Sequence, residues 1–330
     1  MANLTDFAEF IDELAARTMR GGSVTREEIL YMLAPSPDSQ EAAILGKRAR
    51  EMAAEITGNR GRIWTAVGID NRPCPMNCGF CAFGEKWGLI TENSEWSDEE
   101  ILAAARTCAS GGSSWFVLRT TQFYSFERLV ALAIKVRAQV SEDCKLVVNT
   151  GEFGHDGAQK LLDAGVSSVY HTLRLGEGKS TSFNPADRLA TLAAVHESAL
   201  ELTYLVEPLG PEHSNEEIAD CLLVAREHEA VLCGVMARVN VPGTPFENHS
   251  TVSEARKSQI VAASRICGGS LTPDICVHPP ESRSLDCGAN VVIVEAGSIP
   301  RSNQTEHKTT WKEFGLPEAK TLLAKAGYEI

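Results

Sequence analysis

From about residue 60 onward the chain alternates short β-branched runs with longer stretches of helical period, and this alternation narrows the fold more than any other feature. The strands it predicts are Ile63–Ile69, Trp115–Thr121, Lys145–Asn149, Ser168–Leu173, Leu202–Glu207 and Cys233–Val239, followed by Asp274–Val277 and Val291–Val294. Between them lie helices whose starts fit the S/T-x-x-E capping box, in which the first side chain caps a backbone N–H and the glutamate reaches back. These are Ser97–Glu100, Ser214–Glu217 and Thr251–Glu254. Gly165, after Leu161-Leu162-Asp163-Ala164, reads as the glycine that ends a helix before the next strand. Strands separated by helices pair in parallel. Six to eight such units in about 270 residues predict an α/β chain folded as a (β/α)8 TIM-type barrel, complete or nearly so, in preference to an open doubly wound sheet.

Residues 1–58 carry three helical stretches, Asp6–Arg17, Arg26–Leu33 and Gln40–Ile56, and no strand signal. They read as an N-terminal helical extension to a barrel over 59–310. The stretch 311–330 holds a last amphipathic helix around Pro317–Ala326, a tail packed on the barrel. A chain of 330 residues that is 43% hydrophobic and 23% charged can bury a core of this size. Its net charge of −13 repels phosphate backbones and argues against a nucleic-acid partner. No apolar run approaches the roughly 18 residues of a membrane span. The N-terminus carries Asp6 and Glu9, where a secretory signal would be basic and apolar. A cytoplasmic protein with no membrane partner is expected, and no pattern indicates its oligomeric state.

In a reducing compartment a cysteine cluster reads first as a metal site. Of ten cysteines only one group is tightly spaced, Cys74-Pro-Met-Asn-Cys78-Gly-Phe-Cys81. It follows the first strand, so a parallel barrel carries it at the C-terminal face, where barrel enzymes build their sites. Three thiolates on one loop can take three corners of a small cluster. Four is the usual complement for [4Fe–4S], so three leave one iron open to bind and reduce a cofactor. Pro75 and Gly79 shape the loop, and Phe80 and Phe83 are suited to keep water away. A structural zinc site is the alternative. It needs a fourth ligand, which only a distant residue can supply.

The stretch Cys74-x-x-x-Cys78-x-Phe80-Cys81 after a strand resembles the signature of the radical S-adenosylmethionine (SAM) superfamily. The resemblance implies a [4Fe–4S] cluster whose fourth iron chelates the amino and carboxylate groups of SAM. One electron, from a flavodoxin- or ferredoxin-type donor, then yields methionine and a 5′-deoxyadenosyl radical that abstracts hydrogen from a small-molecule substrate. Val241-Pro-Gly-Thr-Pro-Phe246, Arg188-Leu-Ala-Thr-Leu192 and Gly288-Ala-Asn-Val-Val292 further resemble the group of biotin synthase, the hydrogenase maturase HydE and methylornithine synthase. That group has complete barrels with N-terminal helices. Biotin synthase draws sulfur from a second cluster held by cysteines on strands two, three and five and an arginine on strand seven. Here strands two and five carry no cysteine, and Cys144 lies at the opposite end of strand three. The late cysteines Cys267, Cys276 and Cys287 are the candidates for a possible second Fe–S cluster. The alternative is that they pack as small buried hydrophobes, as Cys108, Cys221 and Cys233 are expected to do.

Polar residues at strand ends supply the other candidates. Thr120, Thr121 and Gln122 end strand two, where the superfamily contacts the SAM amino group, and replace its Gly-Gly-Glu form. Asn149, Thr150 and Glu152 end strand three, where a carboxylate suits the ribose hydroxyls or amino group. His171, Thr172 and Arg174 follow on strand four. With Leu173 and Leu175 packed outward, Thr172 and Arg174 point inward, and Arg174 can pair with a carboxylate of SAM or substrate. Tyr204 and Glu207, Arg238 and Asn240, and His278 complete the ring. Each polar strand end also needs a hydrogen-bond partner whether or not a ligand is present. Arg174, Arg238 and Tyr204 are the candidate catalytic residues; Phe80, Thr120, Thr121, Gln122, Asn149, Glu152, Thr172, Arg174 and Glu207 are those for cofactor binding. Buried charge needs a partner, so two inward arginines suggest a small anionic or zwitterionic substrate. Three readings of function follow: a single-cluster radical SAM enzyme acting on an amino-acid-like metabolite, by rearrangement or carbon–carbon bond chemistry; a sulfur-inserting synthase of biotin or lipoyl type; and a non-catalytic Fe–S carrier, against which a full barrel argues.

Overall fold

The computed structural model describes residues 4–304 and 307–330. Eight parallel strands close a barrel: β1 (Arg62–Gly68), β2 (Trp115–Arg119), β3 (Lys145–Asn149), β4 (Ser168–Tyr170), β5 in two pieces (Glu201–Thr203 and Val206–Leu209), β6 (Leu232–Ala237), β7 (Asp274–His278) and β8 (Val291–Gly297). Closure is direct, since Val67 of β1 is in register with Leu118 of β2 on one side and Ala296 of β8 on the other. A further strand, β9 (His307–Thr310), runs antiparallel along β8.

Alternation along each strand sends side chains into two shells. Trp64, Trp115, Val117, Val147, Tyr170, Leu205, Met236, Cys276 and Ile293 fill the barrel interior. Ile63, Phe116, Leu146, Leu202, Tyr204, Val235 and Val292 face outward into a larger core shared with the helices. Most connecting helices begin at a side-chain cap, as α5 (Phe126–Arg137) does at Ser125 and α7 (Pro185–His196) at Asn184, while α6 (His155–Asp163) starts at Gly154 without one. At α4 (Asp98–Ser110) and α8 (Asn215–Glu227) the Ser97 and Ser214 boxes form in full. At α9 (Glu254–Gly268) the expected box does not. Ser253, not Thr251, is the cap, and its hydroxyl accepts from the Arg256 N–H at 3.2 Å. Starting there sets Glu254 in the first turn, at the positive end of the helix. Gly165, at φ +80°, ends the preceding helix as expected.

Three N-terminal helices, α1 (Leu4–Met19), α2 (Arg26–Leu33) and α3 (Gln40–Thr57), pack on α8 and α9. This encloses α9, whose polar residues are therefore buried with partners. The Arg265 guanidinium donates to the carbonyls of Gly288 and Pro273 and to Asn290, and Lys257 pairs with Glu281 at 3.0 Å. Gly46 lets α3 approach closely, since an added Cβ would lie 2.7 Å from the Cys287 sulfur. The C-terminal helix (Leu316–Lys325) packs against β1 and β8, and the Tyr328 hydroxyl just beyond it donates to the Ala289 carbonyl at 2.7 Å.

Candidate active site

The loop after β1 is tied down from several sides. The Cys74 N–H donates to the Phe83 carbonyl at 2.6 Å and the Cys81 N–H to the Cys78 carbonyl at 2.9 Å. Asn77, at φ +47°, donates from its side chain to the Pro75 carbonyl and accepts from the Lys86 N–H. Neighbouring strand loops complete the lacing: Gly79 donates to the Ser180 carbonyl, Ser182 to the Met76 carbonyl, and Phe246 to the Gly79 carbonyl. A Cβ at Gly79 would stand 2.9 Å from the Phe246 ring, so that ring closes over the loop only because the position is glycine.

Cys74, Cys78 and Cys81 all line one cavity at the C-terminal end of the barrel. Burial pushes all three thiols up, Cys81 to about 11, with the Arg174 charge pulling the other way. Bare, they stay protonated. Bound iron deprotonates a coordinating thiol, which would offset the burial that keeps these three sulfurs protonated. The Phe83 N–H also donates to the Cys81 sulfur at 3.4 Å, the kind of hydrogen bond that tunes an iron–sulfur centre. The donor set therefore fits a cluster.

Of the other residues expected from sequence, Phe80, Thr120, Thr121, Gln122, Asn149, Thr150, Arg174, Glu207 and Arg238 line the same cavity. Arg174 is held by Glu177 at 3.4 Å and Glu207 at 3.6 Å, and although burial lowers its pKa these carboxylates raise it further. Glu207 also accepts from the Tyr170 hydroxyl. Arg238 is paired with Glu212 and with the Ser250 carbonyl.

Six expected residues lie elsewhere, among them His171, which is buried, and Asn240, whose side chain donates to the His249 carbonyl at 2.5 Å. The Thr172 hydroxyl turns to the Leu205 carbonyl at 2.8 Å. β4 stops at Tyr170 rather than Leu173, and the Thr172 carbonyl is taken by the Arg188 guanidinium at 2.7 Å. Arg188 also holds Glu152 at 3.1 Å, behind the cavity wall. Tyr204 faces the outer core, and its hydroxyl donates to the Leu173 carbonyl at 3.0 Å. Tyr204→Phe is therefore expected to cost about 1 kcal/mol in denaturant unfolding and to leave SAM titration unchanged; weakened SAM binding would contradict this assignment. His278 is buried behind Glu295 at 3.0 Å. The late cysteines do not meet at the cavity: Cys276 is in the barrel interior, Cys267 in the outer core and Cys287 against α3.

The sequence reading missed Trp64, Arg119, Tyr170, Met236, Glu295 and Arg301, all of which line the cavity. Glu295 is clamped by both Arg119 and Arg301. A charged residue in an apolar strand, as in Trp-Phe-Val-Leu-Arg and Val-Val-Ile-Val-Glu, was the signal available for two of them.

No family model matches the chain. A biotin synthase from Fusobacterium nucleatum is 24% identical over 357 aligned positions, covering 100% of this chain and 93% of the relative. One from Leptospira biflexa is 30% identical over 243 positions, 70% of this chain and 62% of its own. Among solved structures, the [FeFe]-hydrogenase maturase HydG superposes with a TM-score of 0.80 at 15% identity, covering 99% of this chain and 76% of its own. Methylornithine synthase (PylB) does so with a TM-score of 0.77 at 15% identity, covering 96% of both chains.

Proposed function

We propose that this chain, which belongs to the radical SAM superfamily in the group of biotin synthase and methylornithine synthase, cleaves SAM reductively and takes a hydrogen atom from a small, amino-acid-like substrate. The observation that carries this reading is the meeting of Cys74, Cys78 and Cys81 with two arginines, Arg174 and Arg238, in one cavity at the barrel's C-terminal end. A [4Fe–4S] cluster on the three cysteines, with SAM at the iron they leave open, would supply one electron to the sulfonium and hence a 5′-deoxyadenosyl radical.

The chain's own residues suit that task. Phe80 and Phe83 present apolar surface beside the thiols and exclude water. Arg174 provides a fixed positive charge near all three sulfurs and a donor for a carboxylate. Thr120 and Gln122, just past β2, and Asn149, at the end of β3, offer neutral donors and acceptors along the adjoining wall. Among the described residues, the cavity's two carboxylates, Glu207 and Glu295, are committed to guanidinium groups, and burial together with Glu207 keeps Tyr170 protonated. Among the described residues no histidine lines the cavity and both its carboxylates face guanidinium groups, a lining that suits hydrogen-atom over acid–base chemistry.

Sulfur insertion is the second reading, suggested by the relatives' name. It would need a further sulfur source, and Cys267, Cys276 and Cys287 line no part of the cavity, so the single-cluster reading is preferred. The test is anaerobic reconstitution followed by a 5′-deoxyadenosine assay with SAM and a low-potential reductant. About four irons per chain and reductant-dependent 5′-deoxyadenosine are expected. A protein that takes up zinc instead, or releases no 5′-deoxyadenosine, overturns the proposal.

A further inference from the structure

Building on the radical SAM reading, we infer that Arg301 receives the carboxylate of the substrate. The inference comes from asking which nitrogens of the cavity's four guanidinium groups are buried without an acceptor. Arg119 donates to Glu295 and to the Ser298 carbonyl at 2.6 Å. Arg174 donates to Glu177 at 3.4 Å and lies 3.6 Å from Glu207, and none of its nitrogens is both buried and unmatched. Arg238 has both terminal nitrogens on Glu212 and one on the Ser250 carbonyl, leaving only Nε unmatched. Arg301 is, with Arg238, one of the two that bury a nitrogen without an acceptor, and its remaining acceptors are the poorer of the pair. One terminal nitrogen meets Glu295, the other meets only the Met236 thioether at 3.3 Å, and Nε has no partner among the described residues.

A thioether is a weak acceptor, and a buried donor without an acceptor is costly enough that native chains rarely leave one. Arg301 is nonetheless locked in position. Glu295 fixes one edge, and the Trp311 ring lies 5.9 Å from its guanidinium carbon. A donor that is held rigid and left unmatched in a cavity is preorganised for an acceptor that the chain does not supply. Met236 on β6 and Arg238 just past its end stand two residues apart and both line the cavity, so the unmatched Nε of Arg238 belongs to the same wall. Two free N–H groups on two cations match the two oxygens of a carboxylate. Arg301 lies beyond the C-terminal end of β8 and was not among the residues picked out from sequence.

The test uses the anaerobically reconstituted holoenzyme as wild type, Arg301→Gln and Arg301→Lys, with iron content measured for each. The thermal midpoint is read with acetate against acetamide at matched ionic strength, with and without SAM. Acetate is expected to raise the wild-type midpoint by a few degrees over acetamide, with SAM bound as well as without. The effect should vanish in Arg301→Gln and survive in part in Arg301→Lys, which keeps a charge on Glu295 and so separates lost binding from a damaged fold. Acetate no better than acetamide, or equally protective in Arg301→Gln, overturns the inference. Protection that disappears once SAM is bound also overturns it, by assigning Arg301 to the SAM carboxylate. The 5′-deoxyadenosine assay on the same samples tells the two failures apart. A wild type that releases none defeats the radical SAM reading, whereas one that releases it but ignores acetate defeats only the carboxylate site.

Discussion

Alanine at Cys74, Cys78 or Cys81, one at a time, is expected to bring 5′-deoxyadenosine release to background and iron well below the wild-type level of about four per chain. The three thiols share one cavity, and Cys74 raises the pKa of both others while Cys81 raises that of Cys78, so they sit close enough to act as one donor set. Burial would protonate any thiol not bound to metal, so a cluster missing one corner cannot be held by two weakened ligands. Cys267→Ala, Cys276→Ala and Cys287→Ala combined should leave both readouts at wild-type level, since none of the three lines the cavity. Iron and acid-labile sulfide analysis after anaerobic reconstitution checks both sets. Iron retained in the first set, or lost in the second, would shift the cluster to the late cysteines and revive sulfur insertion.

The barrel and the cysteine loop were legible because each rests on a local pattern. Strand and helix periods, capping boxes and a tight cysteine spacing need no tertiary information. The side-chain ring was harder, and its misses have identifiable causes. Tyr204 and Glu207 were both read as inward-facing, yet they are an odd number of residues apart. On a period of two they cannot share a face. Glu207 points in and Tyr204 out. Glu295 was missed because strand eight was ended at Val294, one residue short, whereas β8 runs to Gly297. Arg301 lies past the strand, where no period applies, and only its contacts reveal it. The Arg188 motif was legible as a resemblance, but its work is structural: it ties the end of β4 to Glu152.

Glu295→Gln is expected to carry the largest stability cost of any single substitution in the cavity, about 3–5 kcal/mol, because it leaves charges buried without a counter-charge. The carboxylate is 1% exposed and serves Arg119 and Arg301 together, with His278 3.0 Å away. Burial alone would raise its pKa, but Arg301, His278 and Arg119 hold it well below the usual carboxylate range. A carboxyl depressed in the folded state stabilises fully above its unfolded value, about 4.3, and loses that contribution as pH falls through the folded one. His278 is pushed down by burial, against the pull of Glu295, so it too favours the folded state less as acid protonates it. Urea unfolding across pH should therefore show the full gap between wild type and Glu295→Gln near neutrality, closing as pH drops below about 4. A gap that does not change with pH, or one under about 1 kcal/mol, would mean that the two guanidinium groups find other partners. Arg301 would then no longer depend on Glu295 for its position, and acetate should protect Glu295→Gln as well as wild type. A full gap with acetate protection lost would instead tie the stability of the barrel mouth to recognition of the substrate's carboxylate.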